Sequence, residues 1–317
     1  MADHDDPRFF GVLVTFNRPA ELAVTLDRLR SQTRQLDRLL VVDNSSSPAT
    51  RSAVDGQDAV YIDAGDNLGP AGGYALGMTK LLETAADDDW IFLFDDDDPP
   101  FFDDAIENAS RFAQAMATAS PAVGAVGISG GRFDLKTGRV IRIGDAEIQG
   151  TVAVDHITGG GLPAYRVGAV RDVGVFLSKL FFGFEELEYG LRLTKLGHAL
   201  LADGEQWERR KTVKRKLGLL PSEQASEARS SNTNLKVAEP SWRRYYSLRN
   251  LIFVLRLHHA SGTAMRVAVT RGILKPLANL VTSPRLAWAN LRFNWKAIRD
   301  GWQGRMGRTM TPEQKSK

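Results

Sequence analysis

Four consecutive aspartates, Asp95 to Asp98, lie between Phe94 and the pair Pro99-Pro100. Adjacent carboxylates repel one another, so a fold keeps them ordered where something cationic sits among them. Carboxylate oxygens suit hard divalent ions such as magnesium or manganese, which commonly arrive with substrate phosphates. The run therefore reads as a metal–diphosphate site or, alternatively, as a solvated acidic loop of the kind most charge runs form. A second acidic group, Glu185, Glu186 and Glu188, follows Leu180-Phe181-Phe182-Gly183-Phe184 and opens a helical pattern carrying Leu187, Leu191 and Leu196. Carboxylates in a first helical turn are favoured by the helix dipole, which is reason enough for them to be there. A carboxylate in apolar surroundings is also a candidate general base with a raised pKa.

The elements that would hold these groups can be read in order. Residues 9–16 form an apolar, β-branched run, a first buried strand ended by Asn17-Arg18-Pro19. Leu22, Leu26 and Leu29 then recur at helical spacing over residues 19–34, with Pro19 near the start. Leu39-Leu40-Val41-Val42 is a second strand, ending in the turn-rich Asp43-Asn44-Ser45-Ser46-Ser47-Pro48, and Ala59-Val60-Tyr61-Ile62 is a third. Asn67-Leu68-Gly69-Pro70-Ala71-Gly72-Gly73 comes next, before a helix expected from about Tyr74 to Leu82. Trp90 to Phe94 is the fourth strand. Strands alternating with helices predict a mostly parallel α/β sheet, in which each loop after a strand falls on one edge. Thr15, Asn17, Asp43, Asn44, Asn67 to Gly73 and Asp95 to Asp97 should then share a cleft. The glycines follow the third strand rather than the first, which argues against a nicotinamide-binding fingerprint. They still leave room for backbone amides to approach a phosphate, or they are a plain turn. Further on, a helix over 101–118, a strand near 121–128, a hairpin excursion over 130–157 and a tight turn at Thr158-Gly159-Gly160-Gly161 are expected.

Composition sets limits. The 317 residues are 43% hydrophobic and 25% charged, as in a soluble globular protein, and contain no cysteine. Disulfides, thiolate metal sites and cysteine nucleophiles are excluded. The acidic start has no apolar signal region, and no apolar stretch reaches the length of a membrane span. The net charge of +3 conceals a split: residues 205–317 hold 23 Lys and Arg against 7 Asp and Glu, and residues 1–204 hold 18 against 31. An acidic part and a basic part facing an anionic surface fit that division.

The order of motifs resembles an inverting family-2 glycosyltransferase of GT-A fold over about residues 9–210. The resemblance is carried by Val14-Thr15-Phe16-Asn17-Arg18, Val42-Asp43-Asn44-Ser45-Ser46, Asn67-x-Gly-x-Ala-Gly-Gly, Asp95-Asp96-Asp97 with Pro100, and Phe184-Glu185-Glu186-x-Glu188-Tyr189-Gly190-Leu191-Arg192 with Gly197. The last motif and Trp242-Arg243-Arg244-Tyr245-Tyr246-Ser247-Leu248-Arg249-Asn250 look most like galactofuranosyl- and rhamnosyltransferases of bacterial cell-wall assembly. The resemblance implies that Asp95 and Asp97 hold a divalent cation, Mg or Mn, on the donor diphosphate. It implies that Thr15, Asn17, Asp43, Asn67, Gly72, Gly73 and Asp96 bind the donor nucleotide-sugar, UDP- or dTDP-linked. Glu186, with Glu185 beside it, matches the base that deprotonates the acceptor hydroxyl. Two departures stand out. Glutamates replace the usual aspartates of the base pair. Trp207-Glu208 stands where relatives carry a histidine ligand, so either Glu208 takes the metal or water does.

The C-terminal third is basic. Residues 211–240 read as a mobile loop or linker, 241–307 as a basic amphipathic helical extension, and 308–317 as a disordered tail. Arg243, Arg244 and Arg249 could meet a pyrophosphate, face water or pair with the acidic part. Trp288, Trp295 and Trp302 among Arg and Lys suit helices lying on an anionic membrane or helices packed on the catalytic domain. No nucleic-acid-binding signature is present. The expected protein is thus a GT-A α/β enzyme of residues 1–210 with that extension. It is expected to be cytoplasmic and peripheral on the inner face of the membrane. Its expected acceptor is a lipid-linked or polysaccharide cell-envelope glycan. A nucleotidyltransferase and a non-catalytic sugar-nucleotide-binding protein are the alternatives.

Overall fold

The computed structural model describes residues 6–219, 239–278 and 280–310. Its contacts divide into two compact units.

The first unit comprises residues up to Arg132, Arg142–Phe181 and Glu185–Glu208. Four parallel strands lead it: β1 (Phe9–Thr15), β2 (Arg38–Asp43), β3 (Val60–Asp63) and β4 (Trp90–Asp95). Helices α1 (Pro19–Arg30), α2 (Pro48–Val54) and α3 (Gly69–Leu82) connect them, and α4 (Ala105–Ala119) follows β4. The continuous apolar runs of the sequence are explained by burial on both sheet faces. Phe10, Val12 and Val14 of β1 pack with Tyr74, Met78 and Leu81 of α3 on one face. Phe9 and Leu13 pack with Leu22, Leu26 and Leu29 of α1 on the other. Alternate residues of one strand thus serve two cores. The pairing register sets Thr15 beside Asp43 and Val14 beside Asp95, so the predicted loops do leave from one sheet edge.

Beyond β4 the chain continues through β5 (Val123–Gly127), β6 (Gly130–Asp134), β7 (Arg139–Ile141), β8 (Thr151–Val154), β9 (His156–Ile157), β10 (Ala164–Arg166) and β11 (Ala199–Asp203). The main sheet has eight strands in the order β3-β2-β1-β4-β10-β5-β11-β8, with β6, β7 and β9 forming a small second sheet. It is mixed and mostly parallel: β10 runs antiparallel to both β4 and β5. This reversal makes the turn before β10 arrive at the edge where β4 ends. Helices α5 (Val167–Val173) and α6 (Glu185–Lys195) flank the sheet, and α7 (Gly204–Lys216) follows β11.

Expectations change at several places. α3 begins at Gly69, not near Tyr74, with Pro70 in its first turn. Its glycines are packing positions: a Cβ on Gly73 would sit 2.6 Å from Val14 Cγ1, and one on Gly77 2.3 Å from Val12 Cγ1. Close helix–strand approach outweighs the helix-propensity cost of about 1 kcal/mol per glycine. α1 stops at Arg30 rather than 34. Lys211 to Lys216, expected in a loop, complete α7; residues 220–238 of that predicted loop lie outside the described residues.

The second unit comprises Phe133–Ile141, Phe182–Phe184 and residues from Arg209 onward. Helix Trp242–Leu257 opens at Ser241, whose Oγ accepts the Arg244 amide. It packs on helix Pro284–Gln303 through small residues: a Cβ on Gly301 would lie 2.5 Å from the Arg249 carbonyl oxygen. Helix Ser261–Val267, a π-helical stretch Ala268–Leu274 and a short turn Lys275–Leu277 run between them. Arg249, for which the sequence left a pyrophosphate, water and the acidic part open as partners, is fully buried. It donates to Asn250 Oδ1 (2.9 Å), the Gly307 carbonyl (2.7 Å) and Thr309 Oγ1 (2.9 Å), with its guanidinium 4.6 Å from the Tyr246 ring centre. Arg308, Thr309 and Met310, assigned to a disordered tail, are ordered: Tyr246 Oη donates to the Met310 carbonyl (2.8 Å). Residues 311–317 lie outside the described residues.

Candidate active site

At the end of β4, Asp95 is half-buried. Its Oδ1 accepts the Tyr74 hydroxyl at 2.6 Å. The turn Gly159–Gly161, delivered by antiparallel β10, lies directly opposite. A Cβ on Gly159 would be 3.1 Å from Asp95 Oδ2 and 3.3 Å from Glu186 Oε1, so both carboxylates rest against one glycine. The Gly159 amide and the amide of Glu186 itself donate to the Glu186 carboxylate. Burial, and then the charge of Asp95, push the Glu186 carboxyl up to about 7. Burial likewise raises Asp95, partly offset by the Tyr74 hydrogen bond. Two carboxyl groups sharing a low-dielectric pocket resist ionising together, which suits one of them to take up a proton near neutral pH.

The pocket wall is aromatic, but not in the way the sequence suggested. The residues beside the acidic pair are Tyr74 and Tyr165, whose hydroxyls are held protonated by burial and by the nearby carboxylate charge. Tyr165, Phe176 and Tyr189 pack edge-on and stacked at 4.4 to 5.8 Å between ring centres. Phe181, one of the phenylalanines that precede the pair, covers α3 instead: a Cβ on Gly69, at φ +67°, would meet the Phe181 carbonyl oxygen at 2.1 Å. Neither Gly159 nor the two tyrosines announced themselves in the sequence; only the glycine triplet was a visible signal, and it read as a turn.

α6 is fixed from behind. Glu188 is fully buried and pairs with Arg192 through two hydrogen bonds of 3.0 and 2.9 Å. Arg192 also donates to the carbonyls of Val173 (2.6 Å) and Val175 (3.0 Å). The Glu-x-x-x-Arg spacing thus clamps the helix that carries Glu185 and Glu186. Glu185 is buried at its start.

The expected donor residues divide by what they already hold. Asp96 is buried and accepts the Thr15 hydroxyl (2.8 Å), the Phe16 amide (3.4 Å) and Arg18 (3.3 Å). It ties the β1 loop to the β4 loop. Asp43 accepts the Ser45 amide (2.8 Å), the Ser45 hydroxyl (2.5 Å), the Ser47 amide (2.9 Å) and the Tyr61 hydroxyl (3.0 Å), shaping the β2 loop. Asn67 Oδ1 accepts the Gly69 amide (2.9 Å), and Asn44 links to Leu68 and Gly69. Gly72 and Gly73 are buried within α3. Asn17, exposed at φ +55°, stands at the mouth of the β1 loop.

Among the described residues no three His, Asp or Glu side chains gather in a metal-holding arrangement, so Asp95, Asp97 and Glu208 do not form such a group. Asp97 is exposed and ion-paired with Arg18, and Glu208 lies on α7 beside Trp207, which packs against the core. The chemistry of the Asp95 and Asp97 donors nevertheless fits a hard cation, because such ions take one or two carboxylates and complete their shell with substrate phosphates and water.

The family profile described as Glycosyl transferase family 2 matches residues 12–174, from β1 to the end of α5. A galactofuranosyltransferase GlfT1 of Mycolicibacterium smegmatis is 34% identical over 204 residues, covering 59% of this chain and 65% of the relative. GlfT1 of Mycobacterium tuberculosis is 36% identical with the same coverage. The match thus spans a little under two thirds of these relatives' length. Among solved structures, the mannosyltransferase PcManGT from Pyrobaculum calidifontis, in complex with GDP-Man and Mn2+, shares 15% identity at a TM-score of 0.49, over 94% of this chain and 88% of its own. With more than half its length matched to that profile, and its sheet and loops ordered as above, the chain belongs to glycosyl transferase family 2.

Proposed function

We propose that this protein is an inverting glycosyltransferase. It moves a sugar of the galactofuranose or rhamnose class from a nucleoside-diphosphate donor to a hydroxyl of a lipid-linked or polymeric cell-envelope glycan. The observation that carries the reading is the Asp95–Glu186 pair held against Gly159, with Glu186 poised near neutrality. The relatives' names support galactofuranose within that class.

In the reaction the acceptor oxygen attacks the anomeric carbon, the bond to the donor diphosphate breaks, and the hydroxyl proton passes to Glu186. Attack from the face opposite the leaving group inverts the centre, and no covalent enzyme intermediate forms. Gly159 and the α6 amide hold the Glu186 carboxylate in place, and the tyrosine wall keeps it in low dielectric, where its proton affinity is high. Asp95 and Asp97 would hold a divalent cation, which when bound offsets negative charge on the departing diphosphate. Arg18 must release Asp97 for that role.

No described helix is long and apolar enough to cross a membrane. The exposed face of helix Pro284–Gln303 carries Arg285, Trp288, Arg292, Trp295 and Arg299 at alternating three- and four-residue spacing, the two tryptophans 60% and 61% exposed. This stripe suits peripheral attachment to an anionic bilayer, with the rings at the headgroup level and the guanidinium groups on phosphates.

The reading is tested by supplying UDP-galactofuranose and dTDP-rhamnose with a lipid-linked acceptor extract, and by calorimetry with nucleoside diphosphates with and without manganese. Sugar transfer from one donor, with metal-dependent binding of its nucleotide, is expected. Failure of every nucleotide to bind would remove the enzyme reading.

A further inference from the structure

Arg18 closes the acidic run from the facing loop. It is the last residue before α1, between Asn17 and Pro19, and its carbonyl accepts the Leu22 amide at 3.0 Å. The helix it opens thus pins its main chain, leaving the side chain, 42% exposed, to move without the loop. Its Nη1 bridges two carboxylates from a distant stretch of chain, Asp96 Oδ1 at 3.3 Å and Asp97 Oδ2. The two grips differ. Asp96 is buried and keeps the Thr15 hydroxyl at 2.8 Å and the Phe16 amide at 3.4 Å whatever Arg18 does. Asp97 is 52% exposed, and its pair with Arg18 is of the weak, solvent-screened kind, worth up to about fivefold in an equilibrium constant. Arg18 can therefore leave without stranding a buried charge. While it stays, it competes for a carboxylate whose oxygens suit a hard cation.

We propose that Arg18 is a positioning residue that couples donor to cation: it holds Asp97 in the free protein and transfers to the donor diphosphate when both ligands bind. The proposal rests on the reading of Asp95 and Asp97 as the cation's carboxylates. A guanidinium and a divalent cation repel one another, so the two do not share Asp97 at bonding distance. Arg18 therefore lowers the affinity of the free site for metal. The donor removes that obstacle, because its diphosphate offers the departing guanidinium oxygens that match its fork of N–H donors. Arg18 is charge-paired at each stage, with Asp97 before and with phosphate after. Such coupling is reciprocal: nucleotide tightens metal binding by the factor by which metal tightens nucleotide binding. The site then fills with donor and cation together and keeps Asp97 closed otherwise.

The test measures manganese binding, by electron paramagnetic resonance of the free ion, and UDP binding, by calorimetry. Both are measured on the full chain, for the parent and for Arg18→Gln, Arg18→Met and Arg18→Lys. Without nucleotide, Arg18→Gln and Arg18→Met should bind manganese about fivefold more tightly than the parent. At saturating manganese the same two variants should bind UDP at least about tenfold more weakly, as for loss of a charge-assisted hydrogen bond. Arg18→Lys, which keeps the charge, should retain the parent's manganese affinity and part of its UDP affinity. The opposite signs are the signature, since removing a side chain that merely shaped the loop would weaken both ligands. Unchanged manganese affinity in Arg18→Gln and Arg18→Met, or weakened binding of both ligands, overturns the proposal and leaves the metal-dependent transferase standing. Absence of manganese binding to the parent, with UDP as without it, removes the cation reading and this proposal together.

Discussion

Replacing Glu186 with glutamine removes a charge while keeping shape, and the structure says what each loss should do. The folded protein holds the Glu186 proton up to about pH 7, against an ordinary value of 4.5. At 1.36 kcal/mol per unit, the native state disfavours the ionised carboxylate by about 3 kcal/mol. The sign follows from which state binds the proton more tightly. The native state does, so the stability linked to this group is fully present below pH 4.5 and is lost as pH rises through about 7. Glu186→Gln carries no such charge. Its stability relative to the parent should therefore rise with pH, by about 3 kcal/mol between pH 4.5 and 8. Urea unfolding of both proteins at several pH values reads this directly. In the same variant turnover should fall ~100- to 10,000-fold, the usual worth of general-base catalysis, with donor affinity nearly unchanged. The parent's kcat/KM should show an acid limb near pH 7. A stability difference that stays flat across the pH range would refute the buried, charge-coupled carboxylate, and near-normal turnover would refute its role as base.

Other expectations bear on the frame around that group. Tyr74→Phe removes the 2.6 Å hydrogen bond that lowers Asp95; the acid limb should move to higher pH, and an unmoved limb would show the two carboxyl groups to be independent. Arg192→Ala strands the fully buried Glu188 without its partner, so chemical denaturation should report a loss of about 3–5 kcal/mol. Arg192→Ala combined with Glu188→Leu should recover much of that loss, and equal instability of the double variant would contradict it. Trp288→Ala with Trp295→Ala should abolish co-flotation with phosphatidylglycerol vesicles while leaving binding of nucleoside diphosphate intact, and phosphatidylcholine vesicles should capture neither form.

The strands were legible because burial on both faces turns them into unbroken apolar runs, and the shared edge followed from their parallel alternation with helices. Four of the five family motifs sit at or just after the ends of those strands; the fifth opens α6. What escaped depends on contacts distant in the chain. The start of α3 escapes a local reading because Gly69, Gly72 and Gly73 look like a loop, whereas Leu68 packs where a Gly72 side chain would be and Val14 where a Gly73 side chain would be. Gly159 looked like an ordinary turn until β10 ran antiparallel to β4 and carried it to Asp95. Arg249 sits on a helix whose buried face is chosen by Tyr245, Tyr246 and Thr309, and periodicity alone does not reveal that choice.

The acidic run itself shows why spacing was an incomplete guide. Four identical residues occupy distinct environments within one turn of chain. Asp95 ends a buried strand and shares its field with Glu186. Asp96 turns inward and spends its oxygens on Thr15, Phe16 and Arg18. Asp97 and Asp98 are exposed, the first held by Arg18. Identity of side chain fixes the chemistry each can do, but strand pleat and the end of β4 decide which one does it. The same logic applies to the glutamates of α6, where helical periodicity sends Glu188 to its arginine clamp and leaves Glu186 facing Asp95 across Gly159. The proposed base and the clamped glutamate thus stand two residues apart, and about half a helical turn sends them to opposite faces of α6.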